Sequence, residues 1–296
     1  GGQTLTPRVK LTGTPYAYTA KALESGAEVQ TLSAPDGLAV TGTYGSGSIP
    51  STGAGARVMW YPKKAAFRAG RVDGDKWDDA NIGDSSIGEG SNSLSSGAYS
   101  TVGGGFANSA TGYSATAGGG TSSHATADYA TVSGGGQNHA TSQGATVAGG
   151  EMNQANGAKA TVAGGLLNFA NGDWSTVAGG TECMAAGDYS LAAGRRAKAN
   201  HDGCFVWGDQ TDADFASTAA DQFLVRATGG FAAIGTYGSG DLPATGAGTR
   251  MMWYPKKAAF RVGAVAGDQW SDANTGTYSA VGGGLDNTSS GQYATV

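Results

Sequence analysis

Two carboxylates spaced by one repeat unit are the first residues of this chain that could do chemistry. Asp173 and Asp188 hold the same position in adjacent copies of a 15-residue repeat. If the copies stack as β-coils, their backbones lie about 4.8 Å apart, near the ~5 to 5.5 Å between the carboxyl groups of retaining glycosidases. The same position also holds chemically unrelated residues, among them Ala98, Tyr113, Gln143 and Ala158. Such variation is typical of a solvent-exposed face without a cleft, so we predict no catalytic residues and no enzyme.

Histidines and clustered aspartates are the candidate metal ligands. His124 and His139 share a repeat position, but Phe169 and Met184 occupy it in other copies. The clustered aspartates lack the spaced Gly and Glu of a Ca²⁺-binding loop and are predicted to form turns. They are Asp73, Asp75, Asp78 and Asp79 in one segment and Asp209, Asp212 and Asp214 in another. We therefore predict no metal site.

Basic and glycine-rich segments could bind phosphate. Lys63 and Lys64 return in an internal copy as Lys256 and Lys257, each pair next to a tyrosine, which favours cation–π packing or an exposed basic edge. The GGG triplets follow no strand–helix pattern, so they do not indicate a nucleotide-binding loop. We predict no cofactor.

The element that positions these side chains is residues 81–200, which divide into eight consecutive lines of fifteen residues. Two of the lines read TSQGATVAGGEMNQA and NGAKATVAGGLLNFA. A short fixed period indicates stacked equivalent units, and Gly at this density disfavours helix by about 1 kcal/mol per position relative to Ala. We predict an all-β parallel solenoid in which each line is one coil. Its strand is the Y-S-T-V-A run, and its corners are the Gly pairs.

Alternation along that strand assigns the two sides of each coil. One side is the predicted coil core: Val102, Val132, Val147, Val162 and Val177 with Ala110, Ala125, Ala140, Ala155, Ala170 and Ala185. The other side carries a column that we call the Thr ladder: Thr101, Thr116, Thr131, Thr146, Thr161 and Thr176. Because the core residues are small, a lone coil is not expected to offset about 1 to 2 kcal/mol of backbone entropy per residue. This favours a parallel homotrimer in which the Thr ladder lies between chains and each of its hydroxyls donates to the Thr of the next coil or to a carbonyl.

A second, longer repeat surrounds the solenoid. The segment from Asp36, with GTYGSG, ARVMWYPKKAAFRAG and KWDDAN, returns 193 residues later as GTYGSG, TRMMWYPKKAAFRVG and QWSDAN. We predict β connector modules at 36–80 and 236–273, a solenoid over 81–200, a cap over 201–235 and a second solenoid from 274. The predicted connector core is aromatic: Trp60, Trp77, Trp207, Phe223, Trp253 and Trp270.

These motifs carry a resemblance to known families. The run YATVSGGGQNHATSQGATVAGG resembles the head repeats of trimeric autotransporter adhesins, and MWYPKKAAFRAG with RRAKANHDGCFVWGDQTDADF is more similar to the fibre region of bacterial and phage tail-fibre proteins. The resemblance implies a left-handed β-roll in an intertwined homotrimer. The self-cleaving chaperone domain of many tail fibres has no counterpart in these residues, and neither has a membrane anchor.

Composition adds only weak constraints. The chain has 296 residues, 53 glycines and a net charge of -5, which indicates neither nucleic-acid binding nor attraction to an anionic membrane. No apolar run of about 18 residues occurs, so we predict no membrane insertion. Residues 1–35 are predicted to be a linker with a short helix within 5–25, starting at Thr14 and Pro15. The Cys183 and Cys204 spacing leaves a disulfide open, and two free buried thiols are the preferred interpretation. We expect the chain to be a piece of a longer protein.

Two functions from different classes fit these patterns. One is a non-enzymatic shaft of an extracellular trimeric fibre, on a cell surface or a virion or injection-device tail, whose other parts would bind a cell or a surface glycan. The alternative is a ligand-binding solenoid that exposes the Thr ladder, as an ice-binding protein would. Ice-binding faces usually carry two Thr per coil, whereas the second position here holds Gly, Ser or Ala.

Overall fold

The computed structural model describes residues 39–296. Within that range the chain is all-β, and its main element is a parallel β-solenoid of about nine turns, each of about fifteen residues. A hairpin precedes this solenoid, and a second hairpin precedes a short further roll. The predicted helix within residues 5–25 lies outside the described residues.

The strands are numbered in chain order. They are β1 Gly55–Tyr61, β2 Ala66–Val72, β3 Ile87–Ser91, β4 Leu94–Ser95, β5 Thr101–Phe106, β6 Ser109–Ala110, β7 Thr116–Ala117, β8 His124–Ala125, β9 Thr131–Val132, β10 His139–Ala140, β11 Thr146–Val147, β12 Gln154–Ala155, β13 Thr161–Val162, β14 Phe169–Ala170, β15 Thr176–Thr181, β16 Met184–Ala185, β17 Leu191–Arg195, β18 Ala197–Ala199, β19 Phe205–Gly208, β20 Phe215–Ala216, β21 Phe223–Arg226, β22 Gly248–Tyr254, β23 Ala259–Val265 and β24 Ala280–Val281. Three 3-10 helices span Pro62–Lys64, Asp79–Asn81 and Pro255–Lys257.

Each coil contributes two strands, not the single one predicted. The odd-numbered strands from β3 to β21 form one sheet with β1 and β2. This 12-stranded sheet, which we call the long sheet, has the order β1-β2-β3-β5 through β21. The even-numbered strands from β4 to β20 form a nine-stranded sheet opposite. The Thr-Val pairs stack in the long sheet, and the Ala column stacks in the second. The sequence prediction missed the second strand because only its Ala recurs, while its other residue varies freely.

The corners between the two strands need left-handed backbone. In the middle coils Trp174 and Leu167 have φ of 53° and 55°, one at each of two corners, although bulky residues rarely adopt this conformation. A glycine column also lies at one corner: Gly150 has φ 84°, and a Cβ there would come within 2.2 Å of the Gly165 carbonyl oxygen. Only glycine lets adjacent coils approach so closely at that point.

The solenoid is longer than predicted, and its coils are not all of equal length. Strands β19, β20 and β21 pair in parallel with the coils before them, so the predicted cap over 201–235 consists mostly of further coils. Ala185 pairs with Ala199, fourteen residues on, and Ile87 pairs with Thr101 at the same interval. The fifteen-residue period therefore fails at both ends of the 81–200 segment, with β-bulges marking the shift.

The connector modules are hairpins attached to the solenoids. Strands β1 and β2 pair antiparallel, and β2 then pairs in parallel with β3, the first strand of the solenoid. In the second module β22, β23 and β24 repeat this order. A Pro-Lys-Lys turn ends each first strand, with Ala65 and Ala258 in the left-handed region. No helix among residues 39–296 is long and apolar enough to cross a membrane.

Candidate functional site: the outward face of the long sheet

The interior of the solenoid is a narrow column of small apolar side chains. All eleven residues of the predicted coil core, the Val and Ala columns, are 0% exposed. The two columns come from opposite sheets, so they fill the space between the sheets. Because Val points inward, its neighbour Thr must point outward, and the Thr side chains are partly exposed.

The Thr ladder is a straight column on the outside of the long sheet. Each Thr pairs with the next one directly in register, from Thr101 to Thr176. Within the single chain no ladder hydroxyl hydrogen-bonds to another of the described residues, so the bonding between hydroxyls and the next coil stays a prediction for the trimer. Such bonding occurs instead at an exposed corner, where Thr141 donates to Asn156 at 2.9 Å and Asn156 donates to Asn171 at 2.9 Å.

The Thr column continues into large apolar residues at both ends. Before Thr101, the residues in register are Trp60, Phe67 and Ile87. After Thr176, they are Leu191, Phe205 and Phe223. A second column lies beside this one, two residues away on each strand. It holds Val58, Ala69, Glu89, Gly103, Gly118, Ser133, Ala148, Ala163, Ala178, Ala193, Trp207 and Val225. We call these two columns together the ladder face. Glu89 is its single charged residue.

The predicted connector core divides into buried and exposed members. Trp77 and Trp270 are 0% and 1% exposed, and their indole N–H groups donate to the carbonyls of Ser93 and Asn287. Trp60, Trp207, Phe223 and Trp253 are instead partly or largely exposed, with Phe223 at 70%. A single-chain core therefore does not include those four, because they point away from the coils; Trp60, Trp207 and Phe223 lie on the ladder face.

Sequence reasoning missed the buried arginines that close the start of each solenoid. Arg68 is 0% exposed and donates to Phe67 O, Ser86 O, Ser86 Oγ and Ser95 O at 2.7 to 3.1 Å. Its aliphatic part fills the space beside Gly88, where the coil core would need a Val. Burial lowers the pKa of Arg68 to about 10. Arg261 repeats these contacts with Phe260, Ser279 and Ser289. The signal was present, since AAFR occurs in both modules.

A buried asparagine column holds the coils in register. Asn153 donates from Nδ2 to the carbonyls of Gly149 and Gly165, both at 2.9 Å. Its Oδ1 accepts from the Asn168 N–H of the next coil at 3.0 Å. The other members of the column in the described coils are Asn108, Asn138 and Asn168. Each side chain pairs corner groups that would otherwise lack partners, which is costly when buried.

The paired carboxylates serve the corner of the coil. Asp173 accepts from the Ala158 N–H and Asp188 accepts from the Asp173 N–H, both at 2.8 Å. Each aspartate thus fixes the turn of the preceding coil. The stacked imidazoles of His124 and His139 have ring centroids 4.9 Å apart, and burial lowers the pKa of both.

The three aspartates of the second cluster, Asp209, Asp212 and Asp214, pair with arginines. Asp209 accepts from Arg226 Nε at 3.1 Å and from the Thr211 and Thr228 N–H groups. Hydrogen bonds from Thr211 and Thr228 hold its pKa far below the ordinary value. Asp212 and Asp214 pair with Arg195 and Arg196. Within residues 39–296 no group of three or more His, Cys, Asp or Glu is arranged to hold a metal ion.

Lys64 and Asp79 belong to one network in the connector. Tyr61 donates to Asp79 at 2.8 Å, and Lys64 donates to the carbonyls of Asp79 and Ile82. In the second module Tyr254 and Lys257 make the same contacts with Asp272. The lysine therefore fixes the loop after the hairpin.

Both cysteines are free and buried. Cys183 ends the asparagine column, where its N–H donates to Asn168. Cys204 lies at the interior position that Ser190 holds one coil earlier, because Leu191 pairs with Phe205, fourteen residues on.

No protein-family model matches the chain, and no curated protein matches it. The likeness to trimeric adhesins and tail fibres therefore remains an expectation drawn from the sequence motifs.

Proposed function

We propose that this chain is a non-enzymatic shaft segment of an extracellular fibre, and that it works as a parallel homotrimer with the ladder face at the chain–chain interface. The fibre would present a receptor- or glycan-binding part located elsewhere. Such a fibre would stand on a cell surface or on the tail of a virion or injection device.

The observation that carries this proposal is the composition of the ladder face along its whole length. A flat run of small residues is bounded at both ends by large apolar side chains, and one charge, Glu89, interrupts it. Val58 is 74% exposed and Phe223 is 70% exposed in one chain. Exposed apolar side chains at both ends of one nearly uncharged face are typical of an interaction site, and a face that repeats from coil to coil suits a parallel partner of the same repeat length.

The narrow interior supports the same proposal. One Val column and two Ala columns provide little apolar area, while every coil orders about fifteen residues and several glycines. A second buried face would supply the missing area. Three-fold symmetry places equivalent coils of the three chains side by side, so the Thr column of each chain would contact the Thr columns of the other two.

A ligand-binding face is the alternative that the ladder itself suggests. The Thr hydroxyls are unpaired within the described chain and partly exposed, as a surface that binds ice or a glycan requires. The large apolar residues at both ends of the same columns favour a protein partner, because they would otherwise remain in water.

The mass in solution tests the proposal. Light scattering of the purified chain at micromolar concentration should give three times 29.3 kDa, and electron micrographs should show thin rods. A folded monomer with unchanged β-structure would contradict the shaft and leave the ligand-binding face as the better explanation.

A further inference from the structure

We infer that residues 231–234 form an intermolecular strand, which docks on the connector hairpin of a second copy of this chain. The inference rests on the proposed homotrimer and names the contact that would connect its copies at each module boundary. The segment lies between β21, where the long sheet ends, and β22, where the next hairpin begins.

The segment is apolar, exposed and without secondary structure. Phe231 is 78% and Ile234 is 92% exposed, and no residue from 231 to 236 belongs to a helix, strand or turn. Among the described residues, nothing hydrogen-bonds to the backbone N–H or C=O groups of residues 231–235. Phe231 and Ala233, two positions apart, line the same cavity, as alternate residues of an extended chain do.

The end of the segment is fixed to its own hairpin, and a hydrogen-bonded turn between Ala227 and Gly230 joins its beginning to β21. A Cβ on Gly235 would lie 2.3 Å from Pro255 Cγ, so this backbone passes directly over the hairpin turn. Just beyond, the Gly238 N–H donates to the Lys256 carbonyl at 3.1 Å and Tyr237 stacks on Tyr278. These contacts set where the segment leaves the hairpin, and the four residues before them extend from that point.

The hairpin offers an unfilled acceptor for such a strand. Strand β22 pairs only with β23, so its other edge is open. Its outward side chains are apolar, with Met251 71% and Trp253 36% exposed. A cavity of about 470 Å³ separates Met251, Trp253 and Phe260 from Phe231 and Ala233 of the same chain. The segment therefore leaves its own hairpin face uncovered, and the open edge remains a template for another chain.

The first module repeats the arrangement. Val40 is 63% exposed, residues 39–42 make no backbone hydrogen bond to another described residue, and a Cβ on Gly42 would lie 2.3 Å from Pro62 Cγ. Among residues 39–296, strand β1 is likewise an open edge. Two modules 193 residues apart thus share an apolar, unpaired segment beside an open edge.

A second copy of this chain would provide a partner for both the unpaired segment and the open strand edge. Each copy carries one free segment and one open edge per module, so docking from copy one to two, two to three and three to one closes a ring without leftover edges. Backbone hydrogen bonds would provide the affinity, and the alternating Phe231 and Ala233 would provide the register.

Replacing Ile234 tests the inference. In an isolated chain Ile234→Asp is a surface change that should leave folding intact, whereas docking would bury the charge. We expect the concentration at which the trimer dissociates to rise at least ten-fold, measured by light scattering over a dilution series. Tyr129→Asp, at an exposed turn of the solenoid, is the matched control and should leave that concentration unchanged. An equal effect of both variants, or none from Ile234→Asp, overturns the inference.

Cross-linking separates this contact from the trimer itself. A tagged chain carrying Ile234→Cys is co-expressed with an untagged chain carrying Met251→Cys and treated with a short bis-maleimide; the native thiols are buried. A product joining tagged and untagged chains is expected. A trimeric mass without that product sinks the docked segment and leaves the shaft standing, whereas a monomeric mass sinks both.

Discussion

Single residues at the start of each solenoid determine how its stack of coils begins. Arg68 occupies the interior beside Gly88, and its guanidinium satisfies carbonyls of the first coil. Next to it the Tyr61 hydroxyl donates to Asp79. Burial, helped by this carboxylate, raises the pKa of Tyr61 to about 12, and Tyr254 behaves in the same way in the second module.

Alkaline pH should therefore weaken both connectors. Above pH 10 the unfolded state releases tyrosine protons that the folded state keeps until about pH 12, so the unfolding free energy falls as pH rises through this window. Replacing Tyr61 and Tyr254 by Phe should flatten the fall in melting temperature between about pH 10 and 12. The exposed-site variant Tyr129→Phe should follow the parent curve. A double variant that keeps the parent's alkaline slope would show that these two hydroxyls are not responsible.

At the scale of one coil, the corners determine which sequences stack. The column containing Gly150 is occupied by glycine from Gly90 to Gly194, with positive φ and a carbonyl of the next coil against the missing Cβ. The neighbouring column containing Gly149 is also glycine, yet a Cβ there would touch nothing within 4 Å. The close approach of the next coil thus explains the glycine at Gly150 but not the one at Gly149.

This difference gives a matched pair of variants. Gly150→Ala should destabilise the solenoid by about 2 kcal/mol or more, because the side chain must displace backbone of the next coil and adopt a disfavoured φ. Gly149→Ala should change stability by about 0.5 kcal/mol at most, as an unhindered surface change does. Urea unfolding followed by circular dichroism measures both. Equal losses would mean that the coil spacing relaxes readily and that close contact is not the constraint.

At the scale of the whole molecule, the two outer faces of the solenoid differ. The ladder face is uniform and nearly uncharged, whereas the second sheet presents Ser109, His124, His139, Gln154, Phe169 and Met184 along one column. A face that repeats from coil to coil suits packing against the same face of another copy, whereas a face whose residues vary from coil to coil does not.

Bulky substitutions on the two faces should separate their roles. Thr146→Tyr with Thr161→Tyr should prevent the chain from assembling, because two adjacent levels of a closely packed interface are overfilled. His139→Tyr with Gln154→Tyr places the same side chains on the opposite face and should leave the trimer intact. Sedimentation with circular dichroism reads out both. If the threonine variant still assembles normally, the ladder face is not covered by another chain.

The sequence alone determined the coil. The fifteen-residue period, the inward Val and Ala columns and the outward Thr column follow from spacing and alternation along the chain, which short-range geometry fixes. Only the tertiary structure decided what lies across the coil and at its ends. The second strand, the partners of Asn153, the entry of Arg68 into the interior and the extension of the solenoid to Arg226 depend on the groups that meet from neighbouring coils. A one-residue shortening between Ala185 and Ala199 shifts the columns that follow, and a bulge absorbs it where a fixed period could not show it.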